Sequence, residues 1–152
     1  MSVAAPSSLF DQIEAWLRRQ PAIRYVRSQS ENAGESIEIE AQDEHGFSVA
    51  IAEDDPPWWT ISVGEHGVHI HAADQEEAER WLHLLLSDAC QIEITLGAFS
   101  VRGLIREWQQ GGWTTVYTYR AFMPRFWKSR SQWVLRNRLV RILDDDEVEQ
   151  RG

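Results

Sequence analysis

His69-Ile70-His71 is the spacing in this 152-residue chain best suited to chemistry. Alternate residues of a strand face the same way, so the two imidazoles stand on one face a few ångströms apart, with His66 in the adjoining turn. Imidazole nitrogens at that spacing suit zinc, copper or nickel. A complete site needs a third or fourth ligand, and the sequence offers only Cys90, His83 or a distant acid. A polar sheet face is therefore the first reading of the pair, and a metal-dependent enzyme using His69 and His71 is the alternative.

The string His69-Ile70-His71-Ala72-Ala73-Asp74 resembles the HxHxD motif of metallo-hydrolases. It departs where the ligands matter, because the Asp falls one residue late, no His follows it, and Asp74 is placed to cap a helix. Nucleophilic catalysis has less to stand on. Cys90 sits in apolar surroundings, where a thiol behaves as a small buried hydrophobe. The nucleophile elbow, the phosphate-cradling glycine loop, paired zinc cysteines and His-Glu-x-x-His are all missing from the sequence. Asp54-Asp55 and Asp144-Asp145-Asp146 read as solvated charge runs, whereas acid–base catalysis needs two carboxylates in different environments. No cofactor is called for.

Eight tryptophans are many for this length. Trp16, Trp59 and Trp81 fall on predicted core faces. Trp58 alternates to the opposite side from Trp59, the side of Thr60 and Ser62. Trp127 and Trp133 flank Lys128 and Arg130. Tryptophan and arginine are the residues most enriched at binding hot spots, so Trp58, Trp127, Lys128, Arg130 and Trp133 are the candidate protein-contact residues. The competing reading has the last segment covering the far face of the sheet, with these rings in a second core.

Charge divides the chain into three. Residues 1–100 carry a balance of −13, residues 101–143 of +8 and residues 144–152 of −4, for a net −9. All basic residues but Lys128 are Arg, which a GC-rich genome explains through its codons. The basic segment is expected to pack beside the acidic strands and neutralise them internally, since so acidic a body repels nucleic acid over a Debye length.

These side chains need elements to hold them. Ser8 with Asp11 forms a capping box for a helix over 8–19, ended by Pro21. Residues 28–36 read as a loop. Alternation then predicts strands over 36–42 and 46–52, joined by a turn at 43–46 in which Gly46 is able to take positive φ. Trp59, Ile61 and Val63 form one face of a third strand, and Val68 and Ile70 continue into a fourth, completing a four-strand meander. Asp74, with Glu77 closing a capping box, starts a helix over 74–88 whose Ala78, Trp81, Leu82, Leu85 and Leu86 make an apolar stripe. Strands follow at 91–96, 99–108 and 113–121, with Gly111-Gly112 turning the last pair. Residues 130–143 read in two ways: as a helix, with Leu135, Leu139, Ile142 and Leu143 on one face and Arg138 and Arg141 off it, or as strands with a turn near Asn137; the helix is the preferred reading.

The expected fold is α+β: one largely antiparallel sheet of six or seven strands with two or three helices, the first two packed on one face. A single domain spans 1–152, with a short flexible N-terminus at about 1–6 and an acidic tail at 144–152. The absence of a signal-like segment and the lone cysteine favour a bacterial cytosol and no membrane. The order helix, strands, helix, strands in a small acidic chain resembles that of type III secretion chaperones, and toxin-immunity proteins share its size and charge. The leading functional expectation is a non-enzymatic protein-binding domain, chaperone- or inhibitor-like, with another protein as partner and a homodimer left open. The remaining alternative is single-stranded nucleic-acid binding by 101–143, where cations interleave with Phe126, Trp127 and Trp133. The acidic tail competes for those cations, so no oligonucleotide affinity is expected at physiological salt. Micromolar binding with a steep salt slope, kept without residues 144–152 and lost in Trp127→Ala, would overturn that expectation.

Overall fold

Ser8 and Asp11 start the first helix by exchanging side chain-to-amide hydrogen bonds, each of 3.2 Å. Helix α1 runs Leu9–Leu17 and buries Leu9, Phe10, Ile13 and Leu17, as the spacing of its apolar residues requires. The structure, a computed structural model, describes residues 8–31, 34–55, 58–65, 67–122 and 131–139. The predicted mobile N-terminus and acidic tail lie outside those residues, as do His66, Trp127, Lys128, Arg130 and 140–143 of the predicted last helix.

The meander has five strands, one more than expected. Strand β1 (Tyr25–Ser30) pairs with β2 (Gly34–Ile39), so much of the stretch read as a loop is ladder. Strands β3 (Val49–Glu53), β4 (Trp59–Val63) and β5 (Val68–Ala72) follow, every pair antiparallel. Alternation sends Ile37, Ile39, Val49, Ile51, Ile61 and Val63 to one fully buried face. The Asp43 carboxylate organises the β2–β3 loop by accepting the amides of His45 and Gly46, at 2.8 and 3.0 Å. Gly46 is not among the positive-φ glycines, contrary to expectation. Closeness is the reason for a glycine there, because a Cβ would lie 3.0 Å from Asn137 Oδ1.

Helix α2, Gln75–Leu86, is capped by Asp74, which accepts the Glu77 amide at 2.8 Å. The Glu77 carboxylate reaches back to the amide of Ala73 at 2.9 Å, one residue before the cap, and so varies the predicted box. Its apolar stripe touches β3, β4 and β5 and also β6 (Cys90–Leu96) of a second sheet. That sheet adds β7 (Ser100–Gln109), β8 (Gly112–Phe122) and β9 (Ser131–Leu135), in the order β8-β7-β6-β9. Gln110 and Gly111, at φ of 51° and 80°, make the β7–β8 turn one residue earlier than predicted. Two positive φ values suit a tight hairpin whose twist matches its strands.

Strand β9 corrects the predicted last helix over 131–135. It pairs with β6 from Ile92↔Leu135 to Leu96↔Ser131 and so satisfies an edge that would otherwise present bare amides and carbonyls. The fold is α+β and mostly antiparallel. Among the described residues it comprises two sheets, of five and four strands, and two helices, in place of one sheet of six or seven strands. No helix of the described residues is long and apolar enough to cross a membrane. The sheets meet where β5 lies on Gly103 of β7. A Cβ at 103 would come within 2.9 Å of Val68 Cγ2, so only glycine admits this contact.

Two polar joints fix the remaining pieces. Asn137, 3% exposed, accepts the Phe47 amide at 3.0 Å and donates to the carbonyls of Phe47 and Leu85, at 3.0 and 3.1 Å. Arg27 of β1 holds α1 through Asp11 and Glu14, at 3.0 and 2.7 Å, and pairs also with Glu35 of β2. Its guanidinium holds the Asp11 and Glu14 carboxyls below their ordinary values.

Asn137→Ala leaves three buried backbone groups unpaired and is expected to cost about 3 kcal/mol in urea unfolding, against less than about 0.5 kcal/mol for exposed Arg138→Ala. The Arg27 joint predicts a pH dependence. Carboxyl pKa values lowered by folding give stability that is complete above the ordinary values, 4.5 for Glu14 and 3.8 for Asp11, and is lost as pH falls through the folded ones. Between about pH 6 and pH 3 the unfolding midpoint of Arg27→Met is therefore expected to fall less than that of the wild type. Parallel losses in the two proteins would remove this role for Arg27.

Candidate functional site

Register fixes the environment of the two histidines. His69 sits opposite Ser62 and His71 opposite Thr60, so all four side chains stand on the outer face of the five-stranded sheet. Small hydroxyl residues beside the imidazoles leave them open to solvent, and His71 is exposed while His69 is half-buried. Their ring centroids are 4.9 Å apart at an interplanar angle of 74°. Tyr119 of β8 packs edge-on against His69, with centroids 5.0 Å apart, and Tyr117 donates to the His69 carbonyl at 3.0 Å.

Each ring is anchored through Nδ1. His69 Nδ1 lies 3.0 Å from the Gly67 carbonyl oxygen, which can only accept, so this nitrogen carries the proton. His71 Nδ1 lies 3.2 Å from Thr60 Oγ1, and that hydroxyl donates its own proton to Asp54. The hydroxyl must then accept from His71. Asp54, Thr60 and His71 thus form a carboxylate–hydroxyl–imidazole chain. The i, i+2 spacing showed the pairing of the imidazoles; the loop residues Asp54 and Gly67 that orient them left no signal in the sequence. Among the described residues no group of three His, Cys, Asp or Glu side chains is placed to hold a metal ion.

A second feature lies beyond the β4–β5 turn. A groove there is lined by Glu38, Glu40, Asp43, Glu44 and Glu65, with Trp133 and Leu135 of β9 on its wall. Arg24 stands 3.5 Å from Glu40, so that carboxylate is partly countered. Trp133 pairs with Ile94, whose side chain is fully buried, yet the indole is 40% exposed. It extends the core face of its sheet out into the acidic groove. Alternation in the sequence places Glu38 and Glu40 on a wet face, but the loop and strand that complete the groove come from far along the chain.

Trp58 is 51% exposed at the start of β4, whereas Trp133 lies by Gly64 beyond its end. Six residue-to-residue steps along β4 separate those points, about 20 Å. The two exposed tryptophans therefore belong to separate patches. Trp16 and Trp81 are partly buried and Trp59 is buried against Phe10, as their core assignment requires.

The thiol is withdrawn from solvent. Cys90 is fully buried, and burial pushes its thiol up to about 12, which leaves it protonated and inert. On the outer face of the four-stranded sheet Trp108 packs edge-on against Trp113, and Arg136 lies 5.1 Å over the Trp113 ring while donating to Gln91. From the basic segment, Arg106 pairs with Glu93 at 3.0 Å, an instance of the expected internal neutralisation. No protein-family model, curated protein or solved structure matches this chain.

Proposed function

We propose that this chain is a non-enzymatic protein-binding domain, chaperone- or inhibitor-like, and that its groove receives a cationic segment of the partner. Trp133 carries the reading: a large ring extends from the core face into a groove rimmed by five carboxylates. Such a ring offers a lysine or arginine both apolar contact and a cation–π interaction, worth about 0.5–2 kcal/mol as desolvation increases. The surrounding carboxylates attract the same group and steer its approach. Trp58 offers a second, separate exposed patch, and Trp127, Lys128 and Arg130, which lie outside the described residues, are kept as proposed contacts on their residue types alone.

The test is affinity capture from the source lysate with the wild type, Trp133→Ala and the pair Glu38→Lys/Glu40→Lys, followed by binding measurements on the purified partner. Trp133→Ala is expected to weaken binding at least about tenfold, and the charge reversal to slow association and flatten its salt dependence. Glu38 and Glu40 are exposed, so the charge reversal should leave the melting temperature close to that of the wild type, while Trp133→Ala also removes the covered part of the indole and is compared well below its own melting temperature. A partner retained equally by every variant would refute the groove as the contact.

A further inference from the structure

We infer that His69 and His71 form an open site for a divalent transition metal on the outer face of the five-stranded sheet. This inference is independent of the acidic groove and assigns no reaction to the ion. With Nδ1 of each ring committed as a donor, the neutral imidazoles present their Nε2 lone pairs, the form in which histidine ligates metals.

The spacing fits a shared ion. With metal–nitrogen bonds of about 2.0–2.1 Å and tetrahedral angles, two imidazoles on one ion have centroids about 5 Å apart. The observed separation is 4.9 Å. The separation thus admits a shared ion once the two Nε2 atoms turn toward it.

The outer partners are those that metal-binding histidines use. A ligating imidazole almost always donates its other N–H to a carbonyl, a carboxylate or water, which fixes the tautomer and raises the basicity of the ligating nitrogen. His69 has the Gly67 carbonyl, and His71 has Thr60 backed by Asp54. Tyr119 walls one side of the His69 ring and limits its rotation. Two protein ligands leave positions for water or for a donor from another molecule, so the site is open and its occupant exchangeable. Affinity should follow the usual order for imidazole, copper(II) above zinc and nickel.

The deciding experiment is calorimetric titration of the full chain, purified without an affinity tag and stripped of metal, with copper(II), zinc and nickel salts. One ion per chain is expected, copper(II) tightest, with a copper spectrum showing imidazole nitrogen coupling. His69→Ala and His71→Ala should each weaken binding at least about tenfold, and the double variant should abolish it. Thr60→Val, which keeps the branched strand residue and removes the hydroxyl, should cost about tenfold through orientation alone. His45→Ala and His83→Ala should bind as the wild type does. Should a variant fold poorly, copper-induced broadening of ring NMR signals in the wild type, confined to His69 and His71, gives the same answer. An isotherm unchanged in the double variant, broadening centred elsewhere, or no binding of any of the three ions would overturn the site.

Discussion

The carboxamide of Asn137 is the constraint on which the arrangement of the two sheets depends. It meets the peptide of Phe47 as a neighbouring strand would, accepting its amide and donating to its carbonyl, and its second N–H takes the Leu85 carbonyl. Leu85 lies in the last turn of α2, where carbonyls have no partner within the helix. The main chain around Asn137 completes the closure: Leu139 donates to the Leu86 carbonyl at 3.0 Å, and Arg136 to His45 at 2.7 Å. One short segment therefore caps the helix, anchors the β2–β3 loop and continues β9. Leaving these buried groups unpaired would cost more than a hydrogen bond contributes, so the joint acts chiefly by forbidding other arrangements.

The same joint explains why the described part of the last segment, 131–139, is not helical. Read alone, Leu135, Leu139, Ile142 and Leu143 have helical spacing. In a helix the amide of Leu139 would turn to its own chain at Leu135, and the carbonyls ending α2 would lose their cap. The β6 edge would also remain open. Two sets of unsatisfied groups outweigh a propensity difference of a few tenths of a kcal/mol per residue. Tertiary demand decides the conformation.

What the sequence showed depended on how much each element buries. Strands β2 to β5 were legible because one side of each is dry and the other wet, so polar and apolar residues alternate. Both helices were legible from caps and stripes. The missed strands, β1 and β9, are sheet edges: β1 exposes Arg27, Gln29 and Ser30 or shows them only partial cover, and β9 has no fully buried residue. A strand that buries little carries little alternation, and a Ser-rich edge then reads as loop. The division into two sheets was hidden for another reason. It rests on Gly103, whose missing side chain records the approach of Val68 from 35 positions away. Composition cannot show which surface such a gap receives.

The candidate sites follow from the same division. The inner face of the first sheet is spent on burial, so its outer face keeps small and polar residues: Ala50, Ala52, Thr60 and Ser62. Large side chains there would crowd the imidazoles, whereas hydroxyls leave space and supply the hydrogen bond that sets a tautomer. The second sheet contributes what the first lacks, aromatic walls: Tyr119 against His69 at one place, Trp133 above the carboxylates at another. Each site thus joins polar groups of one sheet to a ring of the other. Both require the sheets to be held in one relative position, and Gly103 at one contact and Asn137 at another hold them there. Sites shared between sheets carry no compact sequence motif, because their parts are adjacent only after the fold has closed.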